Sequence, residues 1–326
     1  MRKPLPELGQ AVGDGKKEMP ELPEVEYTAR QLRESVVGAT IREAQIFWER
    51  SVGHPSLPDF LAELSERKIE GVRRRGKLLL LDLSGELLLT IHRRMTGNLL
   101  LLPSGWQLDC GLRERDRAAW DTRGPTFLLP ESNEQIPASE MRYCRACFVL
   151  ADGRCLLFTD LRKFGRLELW SRDQEEQALE GLGPEPLDGK FTSAMLAESV
   201  SGRKTAIKQL LLDQHIVAGV GNIYADEALF YAGVHPQRRG DSLTETEIQR
   251  LHEGIISVLT LGIEHGGTSF SNYRGLWGEA GKNFNHVRVY QQEGKPCGRC
   301  GTVIERITLA QRSAHFCPGC QTLIAE

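Results

Sequence analysis

Four cysteines near the end of the chain carry its most explicit chemistry. Two residues separate Cys297 from Cys300 and Cys317 from Cys320, with sixteen residues between the pairs. Two such knuckles offer four thiolates to one tetrahedral ion, a donor set that suits Zn2+ and leaves no position for water or substrate. One structural zinc is expected, with Gly298, Gly301, Pro318 and Gly319 favouring the tight turns. At the other end, Met19-Pro20-Glu21-Leu22-Pro23-Glu24-Val25-Glu26 sets two prolines among three carboxylates. Pro23 and Glu24 suit a first helical turn, where a missing N–H costs nothing and a carboxylate meets the positive helix end. Two further groups could bind anions. Arg73-Arg74-Arg75-Gly76-Lys77 reads as a phosphate-binding edge or a solvated loop, with Gly76 allowing close backbone approach. Gly219-Val220-Gly221-Asn222 bares the backbone just before a helix amino terminus, where N–H groups point outward.

These groups need elements to position them. Val25, Ala29, Leu32 and Val36 recur as one helix face, with Gly38 a candidate cap. From about 40 to 170 come short apolar runs separated by turn signals: Ile41–Phe47, Leu78–Leu83, Glu86–Ile91, Leu99–Leu102, Cys147–Leu150, Arg154–Phe158 and Leu167–Trp170. This spacing predicts a β-sandwich or barrel rather than a parallel α/β sheet, with one helical piece over Leu57–Glu66. Residues 171–190 are acidic and rich in Gly and Pro, the composition of a linker. Helical patterns follow over Thr192–Val200, Thr205–Leu212, Asn222–Tyr231 and Leu243–His265, the last with Ser242 and Glu245 spaced as a capping box. Ile248, Leu251, Ile255 and Leu259 read as its core face, and Gly266 and Gly267 as its end. The expected fold is α+β: an antiparallel β-sandwich domain behind a leading helix, then a helical domain and a zinc-bearing β-hairpin. The expected boundaries are an extension at 1–18, a first domain at 19–170, the linker at 171–190, a helical domain at 191–285 and a zinc finger at 286–326.

At 326 residues, 40% hydrophobic and 26% charged, the chain has the composition of a globular protein with room for two cores. No apolar run approaches the ~18–20 residues that span a bilayer, so no membrane role is expected. A net charge of −3 argues only weakly against nucleic acid, because binding needs local basicity. Eight cysteines without a secretion signal point to thiols and metal in the cytosol rather than to disulfides. Cys144 and Cys147 share the knuckle spacing but lack a second pair nearby and read as core thiols. His215, His235, His252 and His265 have no spacing that demands metal.

The octet MPELPEVE resembles the amino terminus of the formamidopyrimidine-DNA glycosylases. The resemblance covers about residues 19–322 and continues through Lys204-Thr205-Ala206-Ile207-Lys208 and the Gly219–Asn222 turn, which resemble the family's helix–two-turn–helix. It implies excision of oxidised purines, 8-oxoguanine and ring-opened formamidopyrimidines, from duplex DNA, then strand cleavage by β,δ-elimination. Pro20 would attack C1′ of the damaged nucleotide through its amine and form a Schiff base. Glu21 would handle the proton at the sugar-ring oxygen, Glu24 would assist, and Lys77 would lie against the nucleotide and its phosphate. Met95 would fill the gap left by the extruded base, Phe164 would stack on the opposite strand, and Arg162 would hydrogen-bond the orphaned base. Lys204, Asn222 and Arg312 would hold the DNA backbone. Thr268–Asn285 corresponds to the loop that caps the extruded base. The implied partner is damaged double-stranded DNA, bound by a monomer associated with the bacterial nucleoid.

Three departures stand out. Residues 103–145 exceed the family pattern and include Trp106, Trp120, Pro125, Pro130 and Pro137, with no role assigned by the sequence. The segment Tyr273–Glu279 differs from the usual capping loop, which bears on lesion preference. Eighteen residues precede Met19. If they stay attached, the Pro20 nitrogen is a tertiary amide whose lone pair is delocalised, and no iminium can form on it. Translation from Met19 is therefore expected. Two other readings stay open: an endonuclease VIII-like enzyme for oxidised pyrimidines, against which Leu22-Pro23 argues, and a zinc protein that binds damaged DNA without chemistry, should Pro20 be blocked.

Overall fold

The computed structural model describes residues 19–105, 107–109, 126–128, 142–270 and 273–323. The extension before Met19 lies outside these residues, as do Trp106, Trp120, Pro125, Pro130 and Pro137. Helix α1 spans Leu22–Val36 and turns Val25, Ala29, Leu32 and Val36 into the interior. It starts one residue before Pro23: Glu21 is the N-cap, and its backbone N–H donates to Glu24 Oε2 at 2.8 Å. The stripe thus starts from a first turn held by its own carboxylates.

Thirteen strands are described. They are β1 (Thr40–Ile46), β2 (Val52–His54), β3 (Arg67–Arg75), β4 (Leu78–Leu83), β5 (Leu87–His92), β6 (Gly97–Leu102), β7 (Gln107–Asp109), β8 (Thr126–Leu128), β9 (Cys144–Leu150), β10 (Cys155–Asp160), β11 (Arg166–Ser171), β12 (Glu305–Leu309) and β13 (Arg312–Phe316). Helix α2 is Leu57–Leu64. Nine strands form one sheet in the order β2-β11-β5-β4-β3-β1-β9-β10-β6, antiparallel except for the edge pair β2–β11. Only Thr40↔Lys68 and Ile41↔Arg67 join β1 to β3. The halves on either side of this narrow junction share one core, to which Leu79, Leu81, Leu89 and Ile91 contribute from one half and Leu99, Leu101, Phe148 and Phe158 from the other. That is a sandwich closed by α1. Cys144 and Cys147 are buried core thiols, as the sequence suggested, on the sheet's other face with Leu100, Leu102 and Leu157. Within the insertion, β7 pairs with β8.

The arginine run is corrected by the structure. Residues 67–75 form β3 itself, and the three arginines are not a phosphate edge. Arg73 reaches Asp82 (2.7 Å) and Glu175 (2.7 Å), Arg74 reaches Glu26 (2.9 Å) and Glu185 (2.7 Å), and Arg75 reaches Glu185 (3.2 Å). Their carboxylate partners come from α1, β4 and the 171–190 segment, so the run clamps the two halves of the chain together. Gly76 does allow a close approach, but to protein: at φ +54° its missing Cβ would meet Ala218 Cβ at 3.2 Å. The 171–190 segment is correspondingly ordered in part, with a 3₁₀ turn at Arg172–Gln174 and a short helix α3 (Glu175–Ala178).

Four helices follow: α4 (Ser193–Val200), α5 (Ile207–Leu212), α6 (Asn222–Ala232) and α7 (Glu245–Glu264). Helix α6 is buried on nearly every side and forms the axis of a second core with α7, which Leu22 of α1 also enters. Thr244 and Glu247, not Ser242 and Glu245, make the capping box of α7. Ser242 is unavailable because it sits in a 3₁₀ turn, donating to the Arg239 carbonyl and accepting from Arg238 Nε. The terminal hairpin pairs β12 with β13 through Ala310 and Gln311, both at positive φ (44° and 63°), which places Arg312 first on the returning strand. Among the described residues no helix is long and apolar enough to cross a membrane.

Candidate active site

A cleft of about 950 Å³ opens between the sandwich and the helical domain, and its wall collects residues from both ends of the chain. Met19 and Glu21 line it from the start of α1, with Pro20 buried between them. Lys77 comes from the β3–β4 turn, Met95 and Arg162 from the loops after β5 and β10, Asn222 from the start of α6, and Arg312 from the hairpin tip. Six of the residues singled out in the sequence therefore share one wall: Glu21, Lys77, Met95, Arg162, Asn222 and Arg312.

Glu21 is fixed by the far domain. Its Oε1 accepts the Ile223 N–H at 2.9 Å and its Oε2 the Tyr224 N–H at 3.3 Å, so the carboxylate caps α6 where the helix dipole favours negative charge. Gly221 makes this possible, because a Cβ there would lie 2.3 Å from Glu21 Cδ. Burial drives the Glu21 pKa up, Lys77 pulls it down, Glu24 raises it and the two amides lower it, for a result of about 7. A carboxyl balanced there both donates and accepts a proton near neutral pH. Burial lowers the Lys77 pKa, with Glu21 and Glu24 opposing the shift. His92, also on the cleft wall, is pushed down to about 3 by burial and by Arg94 and Lys77, so it stays neutral.

Glu24 lies beneath this wall. Its Oε1 accepts from the Tyr224 hydroxyl at 2.8 Å and from the Thr268 N–H at 2.7 Å. The Tyr224 hydroxyl also meets Thr268 Oγ1 at 3.0 Å, and Asn283 Nδ2 donates to Thr268 Oγ1 at 2.8 Å. Burial raises the pKa of Glu24 against these donors. Arg93, fully buried, braces the same floor: its Nε donates to the Gly97 carbonyl at 2.8 Å, and its terminal nitrogens to Thr28 (2.9 Å) and Asn98 (2.7 Å). Tyr224, Thr268, Asn283 and Arg93 were missed in the sequence. A charged or polar residue inside an apolar pattern signals burial but does not name its partner.

At the cleft's outer lip the two loops meet. Arg162 donates to Met95 Sδ at 3.0 Å and lies over the Phe164 ring at 4.7 Å, and Phe164 stays half exposed. Asp160 holds this loop, with Oδ2 accepting the Phe164 and Gly165 N–H groups, each at 2.7 Å. Met95, Arg162 and Phe164 are thus grouped, while Lys204 stands apart, exposed before α5 and outside the cleft wall. The Tyr273–Glu279 loop returns to the first domain, where Leu276 enters the sandwich core and donates its N–H to Gln31 at 2.9 Å.

In the hairpin, the sulfurs of Cys297, Cys300, Cys317 and Cys320 all lie within 4.8 Å of one another. A tetrahedral zinc with Zn–S bonds of ~2.3 Å needs sulfurs roughly 3.8 Å apart, so the four thiols fit one ion. The ion would tie the hairpin's two ends together, and Val289 and Ile304 back the site with Cys297 and Cys317 in a small core.

An amino-terminal acid cluster faces a helical domain and a four-cysteine hairpin across a cleft, the arrangement that the resemblance to DNA glycosylases of the helix–two-turn–helix class implies. Family models agree: the formamidopyrimidine-DNA glycosylase N-terminal domain matches residues 19–167, the H2TH domain 182–274, and the zinc finger found in FPG and IleRS 294–323. The chain is 43% identical to the formamidopyrimidine-DNA glycosylase of Chloroflexus aurantiacus, over 94% of this chain and 99% of that one. It also resembles solved complexes of Lactococcus lactis Fpg. One holds Fapy-dG containing DNA (TM-score 0.77, 33% identity) and one abasic-site DNA (TM-score 0.78, 33% identity), each covering 93% of this chain and 100% of that one. The chain belongs to the formamidopyrimidine-DNA glycosylase family.

Proposed function

We propose that the chain excises oxidised purines, 8-oxoguanine and formamidopyrimidines among them, from duplex DNA and then cleaves the abasic strand. The observation that carries the reading is the placement of Glu21, balanced near neutrality, beside buried Pro20 and Lys77 on the cleft wall. The Pro20 amine attacks C1′, the damaged base leaves, and Glu21 delivers a proton to the ring oxygen. Ring opening gives an iminium between Pro20 nitrogen and C1′. Loss of the C2′ proton then expels the 3′ phosphate, and loss of the C4′ proton the 5′ phosphate. Burial disfavours the charged forms of Lys77 and Glu24, which supports proton handling by both around this centre. Met95 occupies the vacated stack, Phe164 supports the opposite strand, and Arg162 reads the orphaned base. Asn222 and Arg312 hold phosphates beside the lesion, and Lys204 contacts the backbone farther out. The zinc hairpin presents Arg312.

The working unit is a cytoplasmic monomer, divided into a catalytic sandwich (19–170), a linker (171–190), a helix–two-turn–helix domain (191–285) and a zinc finger (286–326). Catalysis requires Pro20 as the terminal residue, so the segment through Met19 has to be absent from the active form. Borohydride trapping tests this on an 8-oxoguanine:cytosine duplex, comparing a Met19-start protein whose initiator Met has been removed with the 326-residue chain. The expected result is a covalent adduct at Pro20 in the Met19-start form alone. Trapping by neither form, with binding intact, would leave a damage-binding protein without chemistry.

A further inference from the structure

Behind Arg312 lies a buried ionic cluster that no step of the chemistry uses. Asp226 and Lys208 are both fully buried, with Lys208 Nζ 2.6 Å from Asp226 Oδ1. The other carboxylate oxygen, Oδ2, accepts the His315 backbone N–H at 2.9 Å and meets His315 Nδ1 at 3.0 Å. Lys208 Nζ also donates to the Ser313 carbonyl. Asp226 and Lys208 stand on α6 and α5, whereas Ser313 and His315 stand on β13, one and three residues past Arg312. Two charges of the helical domain therefore grip the hairpin's backbone immediately behind its tip.

The placement along α6 matters too. Asp226 is four residues, about one turn, beyond Asn222, so both project from one side of the helix. Asn222 Nδ2 reaches the Tyr290 hydroxyl at 3.5 Å, and the Tyr290 ring packs edge-on against His315 at 4.8 Å. Asn222, Tyr290, His315 and Asp226 thus close a circuit between the start of α6 and the hairpin. Burying a charged pair costs desolvation free energy that well-packed apolar residues would avoid, so its value lies in geometry rather than stability. Hydrogen bonds to a buried ionised carboxylate also fix direction more tightly than apolar packing does.

We infer that Asp226, with Lys208 and His315, is a positioning residue: it sets the hairpin against α6 so that Arg312 and Asn222 grip phosphates of the same strand in register. The inference rests on the phosphate role given to Arg312 above. Without Asp226 the hairpin keeps its zinc and its fold but loses its fixed bearing on the cleft.

The test is a double-mutant cycle of Asp226→Asn and Arg312→Ala in the zinc-loaded full chain. It reads binding to a duplex carrying a tetrahydrofuran abasic analogue by fluorescence anisotropy across a salt series. Arg312→Ala is expected to weaken binding and reduce the salt slope by about one. Asp226→Asn is expected to weaken binding by roughly tenfold with the same loss of slope, yet by less than about twofold when Arg312 is already Ala. Zinc stoichiometry is expected to stay at one per chain. If Asp226→Asn does not fold, His315→Phe carries the test, since it keeps the ring packing and the backbone bond and removes the Nδ1 contact with Asp226 along with the longer Nε2 contact to Glu293 at 3.6 Å. A smaller loss is then expected, again absent in the Arg312→Ala background. Equal losses in both backgrounds, or no loss in either, would overturn the positioning role while leaving the phosphate role of Arg312 standing. An unchanged affinity and slope for Arg312→Ala alone would overturn that phosphate role, and the inference with it.

Discussion

Replacing Gly221 by Ala isolates the contact on which the acid chemistry depends. Gly221 has φ −131° and ψ −159°, extended backbone open to any residue, so the substitution introduces no backbone strain. Its whole effect comes from the new methyl group, which would lie 2.3 Å from Glu21 Cδ and 2.5 Å from Oε1, where ordinary contact is 3.4–4 Å. The carboxyl group has to retreat by about 1 Å, breaking or stretching its bonds to the Ile223 and Tyr224 N–H groups. Hydrogen bonds to a charged group are worth about 1.5–3 kcal/mol each, so the ionised form loses several kcal/mol of local stabilisation. A misplacement of about 1 Å at a reacting group commonly costs on the order of 100-fold in rate. Single-turnover excision from an 8-oxoguanine duplex is expected to fall by that factor, while affinity for an abasic-analogue duplex holds. The two amides favour ionised Glu21, so their loss moves its pKa above about 7 and shifts the rate's dependence on that group toward higher pH. A wild-type rate for Gly221→Ala, or a shift toward lower pH, would refute the account of how Glu21 is held.

Glu21→Gln is expected to abolish excision and to stabilise the fold increasingly as pH rises. The folded-state pKa of about 7 lies above the ordinary 4.5. Stability from this group is therefore complete below the unfolded value and lost as pH rises through the folded one. The variant's advantage in urea unfolding should grow by about 2 kcal/mol between about pH 5.5 and about pH 8, and a constant or shrinking difference would count against a raised Glu21. Met95→Ala should slow excision of 8-oxoguanine by roughly tenfold yet barely change cleavage of a preformed abasic site, which has no base to extrude. Equal losses on the two substrates would remove Met95 from the wedge role.

What could be read from the chain depended on how local each signal was. The zinc ligands were legible because a thiolate pair closes its own turn, and the α1 stripe because one helix face is set within four turns of sequence. The sandwich was legible as strands but not as β3, whose charged residues look solvated until Asp82, Glu175 and Glu185 are brought alongside. The network around Glu24 was invisible for the same reason: Tyr224 is 200 residues away and Thr268 is 244. The grouping of Met95, Arg162 and Phe164 was anticipated through family resemblance, since a methionine in a loop has no local mark of its place. Asp226 and His315 carried no signal at all, because a buried ion pair is defined only by its partner.

These long-range contacts share one consequence. Pro20 is attached to the sandwich through α1, yet the two residues that follow it are held by the helical domain. Glu21 caps α6, and the Leu22 N–H donates to the Gly219 carbonyl at 3.0 Å while the Leu22 side chain enters the second core. Pro20, the proposed nucleophile, therefore has a defined position only when both domains are docked. The ion pairs of Arg73 with Glu175, and of Arg74 and Arg75 with Glu185, tie β3 to the segment that leads into the helical domain. It follows that the acid near neutrality and the approach of Lys77 are properties of the docked cleft, not of the amino-terminal motif. In an isolated sandwich Glu21 would lose both the burial that raises its pKa and the helix end that orients it. The octet Met19–Glu26 supplies the groups proposed to react, and residues some 200 positions away hold them in place.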